Sequence, residues 1–160
     1  MATFLLIIGA LASSYALVMA FMKPVQGAIA AYFGAWALMK SGFAPIPQRV
    51  LLFWAVIVIL VVGIQMIRGR MVRTPFALRA YVAGGALAFT AVGILIGQGG
   101  MVLGAVAGVL LGAIAFMRLK GEAGNRFWPS VVVVGAPTVV TMVLVALSVV
   151  ALMAGSGTIN

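Results

Sequence analysis

The chain has no cysteine and no histidine, and a single acid, Glu122, stands against ten Lys and Arg. Each absence removes a class of chemistry. Paired-carboxylate hydrolysis, Ser-His-Asp or Cys-His nucleophiles, thiolate or imidazole metal sites, His-ligated haem and disulfide exchange all lack their atoms. Charge of either sign is scarce: 7% of the 160 residues are charged and 66% are apolar, with mean hydropathy +1.32. Ordinary soluble domains are about 25% charged and about 45–50% apolar. The composition defines an all-α integral membrane protein with no catalytic residue, metal ligand or cofactor to assign. The missing cysteines say nothing of redox compartment, because a chain in lipid is held by backbone satisfaction and packing and needs no disulfide.

A net charge of +9 suggests nucleic acid in a soluble domain. Here the charges lie in short loops between apolar runs, without a basic water-facing surface or interleaved aromatics, so no nucleic-acid partner is expected. The partners expected are the lipid bilayer, anionic head groups at the basic loops, and other membrane subunits or further copies of the chain.

A bilayer core of about 30 Å takes roughly 20 apolar residues per helix. Charges, Gly and Pro divide this sequence into six such runs, at about 4–22, 25–40, 50–67, 76–97, 101–117 and 127–153. The second is short and rich in Ala and Gly, so five spans is the alternative, with that run re-entrant or tilted. Pro24 suits a helix opening, where its missing N–H is no loss. Pro45 and Pro47 make a loop. Gln98-Gly99-Gly100 reads as a tight turn.

Lys and Arg collect in short cytoplasmic loops. Arg68, Arg70, Arg73 and Arg79 form one basic segment and Arg118, Lys120 and Arg126 another, two spans apart, so both face the cytoplasm together. A bacterial inner membrane with both termini outside the cytoplasm satisfies that arrangement. These loops fix topology and attract anionic lipid; a sharper reading makes them a docking site for an acidic soluble partner. The first run resembles a signal peptide only in its Val18-Met19-Ala20 ending. Its start carries no Lys or Arg, so an uncleaved span is expected.

Gly100, Gly104, Gly108 and Gly112 recur every four residues, which sets one glycine stripe along the fifth helix and lets a second backbone approach closely. The fourth run offers Ala80, Gly84 and Ala88, with Gly93 and Gly97, so a glycine-zipper hairpin is expected between the two. Ala12, Ala16 and Ala20 with Gly27, Ala31 and Ala35 repeat the theme in the first two runs; Ala-xxx-Ala spacing of this kind identifies no family. A 3+3 arrangement of the helices is conceivable.

Ionisable groups inside a membrane are functional candidates because they are costly there. None lies deep: Lys23 and Lys40 snorkel from span ends and Arg79 sits about a turn inside its helix. A carboxylate-based proton or sodium carrier is therefore disfavoured. The candidate substrate path consists of neutral groups, Ser13, Ser14, Tyr15, Gln65, Thr90, Thr138 and Thr141, with Pro137. In mid-span Pro137 deletes a helix bond and frees carbonyls near Val133 and Val134. Broken helices of this kind carry the binding sites of many transporters, although a static packing kink is the plainer reading and the favoured one. Trp36, Trp54 and Trp128 mark the aromatic belt at span ends.

The first expectation is a membrane-embedded component of a transport or translocation system for a neutral or apolar small molecule or lipid, without catalysis of its own. The alternative is a structural or assembly subunit of a larger membrane complex. A homo-oligomeric channel is a third reading, and a lipid-modifying enzyme fails for want of His and a second acid.

Overall fold

The computed structural model describes residues 1–68, 74–121 and 126–157. Among them are six α-helices and no strand: α1 (Ala2–Met22), α2 (Pro24–Ser41), α3 (Gln48–Arg68), α4 (Phe76–Ile94), α5 (Gln98–Lys120) and α6 (Phe127–Gly155). Five are long and apolar enough to cross a membrane; α2 is not apolar enough. The molecule is an all-helical membrane bundle.

Two antiparallel hairpins, α1–α2 and α4–α5, pack around α6, which touches all five other helices. This central position suits its composition, since α6 is apolar all round and more than half of it is buried. The third helix lies at the edge and touches only α2 and α6. The last members of the two helix triplets are therefore inequivalent, and the bundle is not built of two like halves.

The α4–α5 hairpin is set by backbone contact. A methyl group at Gly112 would lie on the Tyr81 carbonyl, one at Gly108 on that of Gly85, one at Gly104 on that of Phe89, and one at Gly93 on that of Gly100. Gly100 is equally closed, with the Gly93 oxygen 2.5 Å from where its Cβ would stand. The α5 stripe thus packs as its spacing predicts, but its partner row on α4 is Tyr81, Gly85, Phe89 and Gly93, one residue on from Ala80, Gly84 and Ala88. Space around Gly84 is open. The row is selected by the need for two glycines, Gly85 and Gly93, to face two glycines across the seam; alanine at those crossings would hold the backbones apart. Gly97 also departs from expectation. A side chain there would meet open space, but φ is +104°, so its role is conformational: α4 stops at Ile94, residues 95–97 turn, and Gln98 already begins α5.

The α1–α2 hairpin turns on one non-helical residue, Lys23. Gly27 meets the Ala16 carbonyl and Gly34 meets Ser13 and the Gly9 carbonyl, while Gly9 faces Leu38. The two helices therefore run side by side along their whole length. Ala16, Ala20, Gly27, Ala31 and Ala35 are buried as their spacing predicts, whereas Ala12 is only half-buried and Gly9 and Ser13 take its place in the seam. The weakest run in composition is among the best covered, because α1, α3 and α6 all pack on α2.

Consecutive helices alternate in direction, so Lys23, Arg79, Arg118, Lys120 and Arg126 all fall at one end of the bundle. Phe116 of α5 stacks on Phe127 of α6 there (centroids 6.3 Å apart), with Tyr81 edge-on to Phe116. The opposite end holds Lys40 and Arg49, and there Ala44 and Ile46 of the proline loop insert among Leu38, Leu51 and Ala151. Arg68 is described as backbone only, and Arg70, Arg73 and Glu122 lie outside the described residues.

The glycine register makes a pointed prediction. Gly85→Ala forces apart two backbones that have no flexible atom to yield and should destabilise the protein by about 3 kcal/mol, the upper part of the overpacking range. Gly84→Ala, one residue away in open space, should leave stability unchanged or slightly raised. Thermal unfolding of both variants in the same detergent checks this; equal melting temperatures for the pair would refute the register.

Candidate functional site

The neutral polar residues expected to form a path do not converge. Ser13, Ser14 and Tyr15 diverge because successive helical residues point about 100° apart. Ser13 is buried in the α1–α2 seam with no partner for its hydroxyl. Ser14 is exposed and donates to the Ala10 carbonyl at 3.0 Å, and Tyr15 is exposed on the outer face of α1. Thr138, Thr141 and Ser148 are fully buried and donate back into their own helix, to the carbonyls of Val134 (2.7 Å), Pro137 (2.8 Å) and Leu144 (2.8 Å). Thr90 is buried with an unpartnered hydroxyl beside a small apolar hollow of about 170 Å³ between α1, α4 and α6. The buried hydroxyls of α6 are thus spent within their own helix.

One break in α6 is used. Proline at 137 has no N–H to offer the carbonyl four residues back, Val133. That carbonyl instead accepts a hydrogen bond from the Gln65 side-chain amide of α3. Gln65 and Pro137 are thus parts of one structure, although 72 residues apart in the chain. The Val134 carbonyl, next along, is the acceptor for Thr138. Satisfaction by a neighbouring helix is the usual way a proline is accommodated in lipid. Gln65 is also the polar attachment of α3, whose other contacts are apolar side chains of α2 and α6.

The Gln65–Val133 bond lies at the foot of a cleft of about 360 Å³ at the basic end, walled by Lys23, Gln26, Thr74 and Arg79. Arg79, the fourth residue of α4, crosses to α1 and donates through Nη1 to the carbonyl of Met22, the last residue of that helix. The last carbonyls of a helix lack intrahelical donors, and a cation there also opposes the negative end of the helix dipole. The first turn of α2 brings the N–H groups of Val25 and Gln26 to the same cleft; Gly27 N–H is already bonded to the Lys23 carbonyl. Among the described residues there is no carboxylate side chain to pair with any cation.

Sequence reasoning named Gln65, Pro137 and Arg79 but did not join them, and it missed Lys23, Gln26 and Thr74 as cleft residues. The signal available was Pro137, which marks Val133 as a carbonyl needing a donor. Arg118, Lys120 and Arg126 are exposed at the same end and stand outside the cleft. Among the described residues no cluster of His, Cys, Asp or Glu could hold a metal.

No protein-family model, curated protein or solved structure matches the chain.

A double-mutant cycle tests the break. Gln65→Leu leaves the Val133 carbonyl unpaired and should cost about 1 kcal/mol. In the background of Pro137→Ala, whose restored N–H reaches Val133, the same change should cost at least about 0.5 kcal/mol less. Additive losses would show that Gln65 does not serve the proline.

Proposed function

We propose that the chain is a non-catalytic, membrane-embedded component of a transport or translocation system for a neutral or apolar small molecule or a lipid. The observation that carries this reading is the cleft that runs from the basic end to the Pro137 break in the central helix. A cleft that opens at one end of the bundle and reaches a broken helix is the arrangement from which many membrane carriers work. The connections between helices are short, and among the described residues there is no extramembrane unit in which separate chemistry would sit. The charge distribution supports an inner-membrane orientation with the basic end in the cytoplasm and both termini on the other side.

A second reading, a structural or assembly subunit, is favoured by two observations. The buried threonines of α6 donate into their own helix, and the Ala80/Gly84/Ala88 face of α4 is not spent within the bundle, leaving a small-residue surface for another membrane helix.

Native mass spectrometry of the chain released in its own lipids is the test. Co-purification with other membrane subunits in fixed ratio is the expected result, and a lone monomer overturns both readings. The two then separate by variant. The assembly reading expects Gly84→Leu to release the chain from those subunits without lowering its own melting temperature. The transport reading expects a cysteine introduced at Gln26, the only one in the chain, to react with a membrane-impermeant maleimide from the basic side alone.

A further inference from the structure

The cleft at the basic end has an apolar side, Pro24, Val25, Val133 and Val134, and a polar side rich in donors, Lys23, Gln26, Gln65 and Arg79. Its two exposed-end carbonyls are already taken, Met22 by Arg79 and Val133 by Gln65. The groups that remain are the Arg79 Nε, buried and without a partner, the Lys23 ammonium, the side-chain amides of Gln26 and Gln65, and the backbone N–H groups that open α2. A guanidinium fixed by one nitrogen with a second nitrogen buried and unpaired is costly unless something else accepts from it. No carboxylate among the described residues supplies that acceptor. A volume of about 360 Å³ falls within the roughly 300–1,000 Å³ of small-ligand sites.

We propose that this cleft binds a phosphate group, with Arg79 and Lys23 as its charge partners and Gln26, Gln65 and the α2 amides as neutral donors. The chemistry is the match of several donors and two cations lining one cleft to an anion rich in acceptor oxygens. Arg79 matters most, because its Met22 bond holds the guanidinium in place before the anion arrives, whereas Lys23 is exposed and contributes as a point charge. Gln65 links the site to the fold: the same side chain that satisfies Val133 has its second N–H for the ligand. The phosphate can arrive as the head group of an anionic phospholipid sliding in from the bilayer or as a soluble phosphate from the aqueous side. The inference does not rest on the transport reading, since a lipid-anchored structural subunit would hold the same group.

The test uses the full chain in phosphatidylcholine nanodiscs at fixed ionic strength. Inorganic phosphate is titrated against chloride, and separately phosphatidic acid, a bare phosphomonoester head group, is introduced into the disc. A saturable rise in melting temperature with inorganic phosphate identifies a soluble ligand, and a rise with phosphatidic acid alone identifies a lipid head group; either supports the site. Arg79→Gln should weaken the response about tenfold or more, the worth of a hydrogen bond to a charged group. Lys23→Gln, at an exposed turn position that leaves the fold intact, should weaken it in the same direction. No rise beyond chloride with either probe, or an unchanged midpoint in both variants, overturns the proposal.

Discussion

A peptide carbonyl inside hydrocarbon has no water to turn to, and the architecture follows from where each such group finds its partner. Away from their ends, five helices satisfy theirs with their own N–H groups. The sixth, the one that every other helix touches, carries a proline and so exposes one carbonyl, Val133, in the place where an unpaired group is most costly. Gln65 answers it from α3 and in doing so ties the peripheral helix to the centre. The cleft at the basic end exists because that tie draws α3 against α6 at Gln65 while α2 and α4 begin beside it.

The second constraint is the distance between backbones. In lipid no hydrophobic force drives helices together, so attraction must come from close packing and polar contacts. Both hairpins obtain it by facing small residues across the seam: glycine on glycine between α4 and α5, and glycine, serine and alanine between α1 and α2. Because those hairpins are closed through backbone contact, their large side chains are free to turn outward to lipid, as Leu103, Leu110 and Leu111 do on α5. The exposed apolar surface of this molecule is the counterpart of its small-residue interior.

Much of this was legible in the residues. Helix number and class follow from apolar runs and their punctuation, and the α5 stripe follows from the four-residue spacing of its glycines. The partner row on α4 did not, because two stripes, Ala80/Gly84/Ala88 and Gly85/Gly93, lie on adjacent faces and spacing alone does not choose between them. Packing chooses, by placing glycine on both sides at two of the four crossings, Gly85 with Gly108 and Gly93 with Gly100. The site was half legible: Pro137 announces a free carbonyl, but nothing local to α6 reveals that the donor is Gln65. The supposed Ser13/Ser14/Tyr15 patch failed on helical geometry, which sends three consecutive side chains to three faces. Lys23 and Gln26 were invisible as site residues because their importance arises only when the end of α1 and the start of α4 are brought together by Arg79.

The single-residue link at Lys23 bears on how the chain reaches this state. Of the six helices α2 alone lacks the apolarity to cross a membrane by composition, and it is joined to α1 with no slack in the connection. A pair so tightly coupled partitions as a unit: the free energy of transferring α2 from the insertion machinery into lipid is carried by α1, with which it shares a seam from Gly27 to Leu38. The least lipophilic segment is thereby a passenger of the first, shielded from lipid by α1 on one side and by α3 and α6 on the others.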